Sequence, residues 1–261
     1  RQMCIRDRCP LKLIDNQYQF DFDTYEGQLT GSERMIILSS PHNPGGRVWT
    51  ETELKEVARF AIKNDLILVS DEIHHDLVYP TNKHTVMPIA EPAVCNRLVM
   101  MTATTKTFNI AGAHSGNVII SNPDLHQKFS KRIAALGISP NSFGLFMATA
   151  AYSSEGAEWL ERLIKYIDGN RIIFDKAINM IPGLKSMPLE GTYLAWVDFS
   201  GTGMEEKEFI KRVQEKANIA VNHGSTFGTG GENFLRFNLA TPRKLVVEAT
   251  KRLEQAFSDL Q

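Results

Sequence analysis

The sequence predicts an α/β protein, a three-layer sandwich with a mostly parallel sheet, followed by a smaller C-terminal α+β domain. Two observations predict this class. Between residues 35 and 121, short and nearly continuous apolar runs alternate with helical patterns, which is typical of a parallel sheet covered on both faces. From about residue 155 the order changes to a long helix, then strands and helices with a small core of their own. We therefore expect a large domain over residues 10–155 and a small domain over residues 156–261.

The strands of the predicted sheet are short apolar runs bounded by turn residues. They are MIILSS (35–40), LILVSDE (66–72), RLVMMTAT (97–104) and NVIIS (117–121). Polar side chains follow the first three strands, in the clusters PHNPGG, DEIHHD and TATTKTFN. Because ligands bind beyond the carboxyl ends of the strands in such sheets, we expect these clusters to converge in space.

Local signals mark two helix starts. Thr50 precedes a helical pattern and Glu53 follows three residues later, which is the spacing of a capping box. Asn122 and Pro123 have the residue types preferred at the N-cap and at the first helical position. The C-terminal patterns predict helices over 158–180 and 205–218, strands over 192–199 and 234–240, and a closing helix opened by Thr241-Pro242.

The composition limits the kinds of partner. The chain carries 29 Lys and Arg against 30 Asp and Glu, with both signs interleaved, so we expect no nucleic-acid partner and a small molecule instead. No apolar run reaches about 18 residues, so we expect no membrane span. Three cysteines, Cys4, Cys9 and Cys95, form no CxxC spacing, which predicts a reducing compartment and a cytoplasmic protein.

Four residues carry the expected chemistry. Asp71 ends a buried strand, where an unpaired carboxylate needs a cationic partner. Lys106 follows the neighbouring strand, and a partly desolvated lysine is a competent nucleophile and base. Asn43 offers an amide at a third strand end, and Arg236 is a charge inside the apolar run FLRFNLA, for which a carboxylate is the usual partner. Together these groups suit pyridoxal phosphate chemistry on an amino acid.

The chain carries, in order, the segments SSPHNPGGRVWT, VSDEIHHDLVY, TATTKTFNIAGAHSGNVIISNP, EGTYLAWVDF and GSTFGTGGENFLRFNLATP. This series resembles that of the fold-type I pyridoxal phosphate enzymes of the class I/II aminotransferase superfamily. Within it, DEIHHDL and KTFNIAG resemble the cystathionine β-lyase branch (MalY/PatB type) more than ordinary aminotransferases. The resemblance runs from about residue 10 to the end and implies an aminotransferase-like large domain.

Position by position, the resemblance implies a role for each matching residue. Lys106 would form the Schiff base with pyridoxal phosphate and act as the catalytic base. Asp71 would pair with the pyridine nitrogen, Asn43 would bond the ring hydroxyl oxygen, and Arg236 would hold the substrate α-carboxylate. His74 stands three residues after Asp71 and would also contact the cofactor, at a position where aminotransferases usually have tyrosine and the lyase branch tends to have histidine.

The resemblance also indicates phosphate contacts. Thr105 and Thr102 are the expected hydroxyl donors, whereas Ala103 replaces the serine that is usual three residues before the lysine. His114 stands where aminotransferases usually carry an arginine on the phosphate. The adjacent histidines of DEIHHD point in different directions and have no third ligand at a useful spacing, so we expect no metal site.

The expected function is carbon–sulfur β-lyase activity on cystathionine or a related cysteine conjugate, giving a thiol, pyruvate and ammonia. An aminotransferase on the same scaffold is the first alternative, and a catalytically silent fragment or a regulatory binding protein on that scaffold is the second. The resemblance further implies a homodimer. The N-terminal arm, glycine-containing phosphate loop and ring-stacking aromatic residue of the family are not found in this sequence, so we expect an N-terminally truncated member with an incomplete large domain.

Overall fold

The structure is a computed structural model that describes residues 8–260, so Cys4 lies outside the described residues. Its strands are β1 (Lys12–Ile14), β2 (Gln17–Gln19), β3 (Met35–Ser39), β4 (Ile67–Asp71), β5 (Leu98–Thr102), β6 (Asn117–Ile119), β7 (Lys185–Ser186), β8 (Leu194–Asp198), β9 (Asn222–His223) and β10 (Phe234–Asn238). Its α-helices are α1 (Phe22–Gln28), α2 (Glu51–Lys63), α3 (Met87–Ala90), α4 (Thr104–Thr107), α5 (Pro123–Ala135), α6 (Ser142–Ala151), α7 (Ser154–Ile178), α8 (Glu206–Lys211) and α9 (Arg243–Ala256). In this part of the chain no helix is long and apolar enough to cross a membrane.

The central sheet of the described chain has four strands in the order β3-β4-β5-β6. Strands β3, β4 and β5 are parallel, and β6 pairs with β5 in antiparallel orientation. The sheet is therefore mostly parallel, which confirms the predicted α/β class. The strand expected over residues 97–104 is shorter than predicted, because β5 ends at Thr102 and the residues from Thr104 onward form the helical turn α4.

One face of this sheet is packed, and the opposite face is partly open among the described residues. Leu38 and Met100 point to the packed face, where they share a hydrophobic cluster with the buried residues of α2. Met35 and Ile37 point to the opposite face, and they are 51% and 58% exposed. Within the described chain, the expected coverage is thus complete on one face of the sheet and only partial on the other, where Val69 is buried.

Both predicted helix starts are confirmed. The Thr50 side chain accepts a hydrogen bond from the Glu53 amide, and the Glu53 carboxylate accepts one from the Thr50 amide, which completes the capping box of α2. The Asn122 side chain accepts a hydrogen bond from the Leu125 amide at the start of α5, with Pro123 as the first helical residue. Each cap satisfies backbone donors that the first helical turn leaves free and contributes about 1 kcal/mol.

The second sheet, in the order β7-β8-β10-β9, is antiparallel throughout. Its buried side chains join those of α7 and α9 in one hydrophobic cluster that includes Val197, Leu235, Phe174 and Leu253. A separate cluster surrounds α2 and the central sheet. The helix predicted over 205–218 begins as α8 and continues as a π-helical turn, Arg212–Lys216. The division into domains over 10–155 and 156–261 stays a prediction.

The segment before β8 is anchored to the loop after β3. The amides of Glu190 and Gly191 both donate to the Gly46 carbonyl, at 2.9 and 3.0 Å. Arg47 Nε donates to Glu190 Oε2 at 3.2 Å, and Arg47 Nη2 donates to both carboxylate oxygens of Glu53 at 3.0 Å. Because Arg47 is only 6% exposed, this partly buried group of charges ties the helix α2 to the segment before β8.

The hairpin β1–β2 and the helices α1 and α6 are not predicted by the sequence patterns. The hairpin contacts both the loop after β3 and the second sheet through Tyr18, whose backbone carbonyl accepts a hydrogen bond of 2.6 Å from Arg47 Nη1. The Tyr18 hydroxyl accepts a hydrogen bond of 3.1 Å from Trp196 Nε1 in β8. A three-residue strand carries too little periodicity to be recognised, so this tertiary connection is visible only in the fold.

Candidate active site

Three polar side chains lie beyond the carboxyl ends of the parallel strands. Asn43 belongs to the loop after β3, Asp71 is the last residue of β4, and Lys106 lies in α4, directly after β5. Parallel neighbours end at the same edge of a sheet. The positive charge of Lys106 lowers the pKa of Asp71, so the two groups are within electrostatic reach of each other. The strand-end clusters therefore meet at one edge of the central sheet.

Asp71 is half-buried, and its burial dominates its acid–base behaviour. Burial raises the pKa of Asp71, whereas the Ile73 amide, which donates to Asp71 Oδ1 at 3.3 Å, and the charge of Lys106 lower it in part. The net direction is upward, so the protein alone does not fully compensate the charge of this carboxylate. A protonated ring nitrogen is the type of partner that would stabilise the ionised form.

His74 is a buried side chain next to these groups. It is 3% exposed, its ring lies in an edge contact 5.7 Å from the ring of Tyr193, and its Nδ1 atom is buried without a hydrogen-bond partner. Burial, followed by the charges of Lys106 and Arg236, lowers the pKa of His74 to about 4. The imidazole is therefore neutral at neutral pH, with one ring nitrogen able to bond a ligand.

Arg236, in β10, reaches the same site from the second sheet. Its Nη1 atom donates to Asn43 Oδ1 at 2.9 Å, and its Nη2 atom donates to Asn222 Oδ1 at 2.9 Å. The guanidinium carbon lies 4.6 Å from the centre of the Phe227 ring, and the Nε atom is buried without a hydrogen-bond partner. The guanidinium is thus fixed in orientation through its terminal nitrogens while its Nε donor has no acceptor in the protein, a state suited to bind a carboxylate.

The threonines around Lys106 occupy different positions. Thr102 ends β5, and its hydroxyl accepts a hydrogen bond of 3.3 Å from Asn117 Nδ2. Thr105 lies in α4, one residue before the lysine. His114 is exposed and has a left-handed backbone conformation with φ of 44°. The roles of Thr102 and Thr105 at a phosphate group stay predictions.

Two groups of polar contacts hold the site loops, and the sequence did not indicate them. Glu72 is 1% exposed; it accepts hydrogen bonds from the Ser70 hydroxyl at 2.8 Å and the Met87 amide at 3.1 Å, and its Oε2 lies 2.8 Å from His84 Nε2. These contacts fix the backbone directly after Asp71.

A second tie connects the lysine turn to the loop after β4. Thr107, the residue after Lys106, is 1% exposed, and its hydroxyl donates to Asp76 Oδ2 at 2.9 Å. The ring nitrogen Nε2 of His75 lies 3.2 Å from the other carboxylate oxygen of Asp76. The loop that carries Asp71 and the turn that carries Lys106 are therefore joined directly by side chains.

Three further residues at the site escaped the sequence reasoning. Tyr193 contacts the His74 ring, Asn222 contacts Arg236, and the Phe227 ring lies against the guanidinium. Tyr193 stands in the motif EGTYLAWVDF, so the motif itself was a signal for it. No comparable signal exists for Asn222, because β9 has only two residues and its register with β10 is a long-range property.

The side chains brought together fit pyridoxal phosphate and an amino acid. A lysine amine, a carboxylate of raised pKa and an amide match the aldehyde, the ring nitrogen and the ring hydroxyl of that cofactor. Two buried polar atoms at the site, His74 Nδ1 and Arg236 Nε, lack partners within the protein. Buried polar atoms in native proteins are normally satisfied, so these two are expected to meet a ligand.

The mostly parallel sheet, with these polar side chains beyond the carboxyl ends of its strands, defines an aminotransferase-like protein. The chain belongs to the aminotransferase class I and II family, whose model matches residues 3–253. It is 33% identical over 252 residues to cystathionine beta-lyase PatB of Bacillus subtilis, and 28% identical over 248 residues to an aspartate aminotransferase of Pyrococcus abyssi. These matches cover 95% and 94% of this chain, and 65% and 62% of the respective relatives.

A solved structure is similar to this fold over nearly the whole chain. The crystal structure of cystalysin from Treponema denticola, which contains pyridoxal 5'-phosphate, is 38% identical and has a TM-score of 0.91. The match covers 97% of this chain and 65% of that one. The chain thus spans slightly less than two thirds of the length of the relatives it matches.

Proposed function

We propose that this protein is a pyridoxal phosphate-dependent carbon–sulfur β-lyase that acts on cystathionine or a related cysteine conjugate. The observation that carries the proposal is the hydrogen bond between Arg236 and Asn43, which joins a carboxylate-binding group to the strand-end cluster of Lys106 and Asp71. The similarity to cystathionine beta-lyase PatB of Bacillus subtilis supports the lyase reaction over others on this fold.

Different side chains would bind the cofactor and the substrate. Lys106 would hold the cofactor through its aldehyde, Asp71 would pair with the pyridine nitrogen, and Asn43 would bond the ring hydroxyl oxygen. His74 would contact the cofactor through its free ring nitrogen. Arg236 would bind the α-carboxylate of the substrate by charge-assisted hydrogen bonds. Thr102 and Thr105 would donate to the phosphate.

Pyridoxal phosphate, when bound, supplies an electron sink for the pair left when the substrate Cα loses its proton. The Lys106 amine accepts that proton as a general base. The carboxylate of Asp71 would hold a proton on the ring nitrogen. The net reaction would consume the cysteine conjugate and water and would give a thiol, pyruvate and ammonia.

The first test identifies the lysine. The full-length protein is mixed with pyridoxal phosphate, reduced with borohydride, digested and mapped by mass spectrometry. The modified peptide is expected to be the one with Lys106, and Lys106→Ala is expected to remove the modification, whereas Lys128→Ala in the exposed part of α5 is expected to leave it unchanged. Modification of another lysine, or of none, would refute the assignment.

The second test separates the lyase from its alternatives. A lyase releases pyruvate and thiol from a cysteine conjugate without any keto acid, whereas an aminotransferase needs a keto-acid acceptor. Aspartate aminotransferase from Pyrococcus abyssi is among the similar proteins, which keeps the transaminase as the second candidate. A protein that carries the cofactor on Lys106 but shows neither lyase nor aminotransferase activity would be the silent binding protein.

A homodimer is part of the same proposal. Helix α6 and the turn before it expose a group of large apolar side chains, among them Phe143 at 74%, Phe146 at 76%, Leu145 at 55% and Ile138 at 55%. Contiguous exposed apolar surface marks an interaction site, and the occupant proposed here is a second copy of the protein. Phe146→Glu is expected to give monomers in analytical ultracentrifugation, whereas Met180→Glu, at an apolar side chain that is 75% exposed after α7, is expected to stay dimeric.

The separate hydrophobic clusters support a boundary between a cofactor-binding domain over residues 10–155 and a small domain over residues 156–261. Limited proteolysis with cleavage near the start of α7 would test this boundary. The cytoplasmic location stays a prediction from the cysteine usage.

A further inference from the structure

Asn222 lies directly opposite Arg236 in the antiparallel pair β9–β10. Its side-chain oxygen accepts a hydrogen bond of 2.9 Å from Arg236 Nη2, on the guanidinium nitrogen that Asn43 leaves free. The two strands thus place a second amide on the same cation. Asn222 itself is exposed, so its side chain is not needed to fill the core.

The acceptors around Arg236 are neutral. Both hydrogen-bond partners of its terminal nitrogens are amide oxygens, and among the described residues no carboxylate lies within ion-pair distance of the guanidinium. The Phe227 ring covers one face of the group and is itself held by an edge contact of 5.5 Å with Trp196. An amide fixes a guanidinium in place without cancelling its charge, whereas a carboxylate would fix it and cancel the charge.

We propose that Asn222 is a positioning residue which orients the Arg236 guanidinium with a neutral acceptor, so that the site selects substrates that carry a free α-carboxylate. The inference rests on the proposed function, because it takes Arg236 as the carboxylate-binding residue. Position 222 therefore requires a side chain that accepts a hydrogen bond from Arg236. A negatively charged acceptor at this position would weaken binding of the substrate carboxylate.

A purely structural role for Asn222 makes a different prediction. If the side chain only stabilises the pairing of β9 with β10, aspartate should serve as well as asparagine, since it has the same shape and is the stronger acceptor. If the neutral charge matters, aspartate should be the worst replacement, because it would occupy the guanidinium as a permanent competitor of the substrate.

The experiment compares Asn222→Asp, Asn222→Ala and the control Asn233→Asp in the full-length, cofactor-loaded protein. Asn233 is exposed three residues before Arg236, so its replacement adds the same charge nearby without the contact. Two substrates are used, a cysteine S-conjugate and the matching cysteamine S-conjugate, which lacks the carboxylate. The dissociation constant of propionate is measured separately by NMR on protein labelled with ¹⁵N-arginine, which requires no turnover.

We expect Asn222→Asp to raise both KM for the cysteine conjugate and the dissociation constant of propionate by about fivefold. This factor corresponds to the free energy of an exposed ion pair, which the ligand carboxylate would have to displace. The kcat value and the KM for the cysteamine conjugate should stay unchanged. Asn222→Ala should raise the same two quantities by about threefold, because the charge remains but the orientation is lost. Asn233→Asp should match the wild type.

Wild-type values in Asn222→Asp, or equal losses on both conjugates, would overturn the inference. The experiment distinguishes a failure of the role of Asn222 from a failure of the proposed lyase function. A protein that releases no thiol yet loses propionate affinity in Asn222→Asp would retain the carboxylate site and lose the lyase assignment. A protein that releases thiol but binds propionate equally in all variants would retain the lyase and lose the role of Asn222.

Discussion

Arg236 Nη1 donates a hydrogen bond of 2.9 Å to Asn43 Oδ1, although the two residues are 193 positions apart in the chain. Arg236 belongs to β10 of the second sheet, and Asn43 to the loop after β3 of the central sheet. The contact therefore connects the side chain proposed for the substrate carboxylate with the side chain proposed for the cofactor. Loss of either partner should affect both kinds of ligand.

The first prediction concerns Asn43. Asn43→Ala removes the acceptor of Arg236 and the proposed contact to the ring hydroxyl at the same time. We expect the affinity for pyridoxal phosphate to fall and KM for a cysteine conjugate to rise, each by about tenfold, the equivalent of one lost hydrogen bond to a charged or buried partner. Asn82→Ala, which loses only a hydrogen bond to Thr81, is the control. An effect on KM alone would contradict the double contact.

The second prediction concerns the ion pairs of Arg47 and their contribution to the stability of the fold. Arg47 is 6% exposed and binds both Glu53 and Glu190, so Arg47→Met leaves two partly buried carboxylates without their cation. Breaking a buried ion pair on one side costs about 3 kcal/mol or more. We expect a loss of that size in the free energy of unfolding measured with urea.

Lys55→Met provides the matched comparison. Lys55 pairs with Glu51 one helical turn away on the exposed face of α2. Exposed pairs of this kind contribute about 0.5 kcal/mol or less, so this variant should unfold almost like the wild type. Equal effects of the two substitutions would show that the Arg47 contacts do not support the fold.

Local signals in the sequence predicted local structure well. The capping box of Thr50 and Glu53 and the cap at Asn122 are confirmed, because each depends on residues only three positions apart. The residues of the parallel strands were predicted for a similar reason, since their apolar runs are short and bounded by turns. The boundary that failed, at Thr104, lies where a strand passes directly into a helical turn without a glycine or proline to mark it.

Contacts over long distances were predicted poorly. The sequence indicated that Arg236 needs a partner, but it gave no sign that the amides of Asn43 and Asn222 accept hydrogen bonds from its terminal nitrogens. Which residue stands opposite Arg236 depends on the register of β9 with β10, and a two-residue strand carries no pattern that fixes a register. Likewise, the exposed Met35 and Ile37 have the apolar character of a covered face, and periodicity cannot tell what part of a chain covers it.

The third prediction separates stability from cofactor binding at Asp71. Burial raises the pKa of this carboxyl, which means that its ionised form is disfavoured in the folded state. A raised pKa in a carboxyl group costs stability at neutral pH, and the cost disappears as the pH falls through the folded-state pKa. Asp71→Asn should therefore stabilise the cofactor-free protein, by less than about 1 kcal/mol because solvent screens the half-buried group.

The same substitution should weaken pyridoxal phosphate binding by about tenfold or more, since an amide cannot replace a charge opposite a protonated nitrogen. Thermal unfolding of the cofactor-free protein and titration with the cofactor measure the two effects. Asp15→Asn, an exposed residue in the turn of the hairpin β1–β2, serves as the control. Unchanged affinity would refute the assignment of this carboxylate to the ring nitrogen, and a loss of stability in cofactor-free Asp71→Asn would contradict the raised pKa.

The fourth prediction is a dependence of stability on pH that originates at His42. Its Nδ1 atom is buried without a partner, and its ring contacts those of Tyr18 and Trp49 at 5.7 and 5.6 Å. Burial, and then the charge of Arg47, lowers the pKa of His42 from 6.5 to about 4. As the pH falls below the unfolded-state pKa, His42 becomes protonated in the unfolded chain. In the folded chain it stays neutral until about pH 4. The stability that neutral His42 provides is therefore complete above about pH 6.5 and is lost as the pH falls towards 4.

The size of the loss follows from the shift and is about 2 to 3 kcal/mol between about pH 7 and pH 4.5. We expect the free energy of unfolding of His42→Gln to fall less steeply over this range than that of the wild type, because glutamine does not titrate. His126→Gln, at an exposed position of α5, should keep the wild-type slope. If His42→Gln and the wild type show parallel curves, the ring is protonated in the folded protein without penalty, and another buried group, such as His74, must account for any loss of stability in acid.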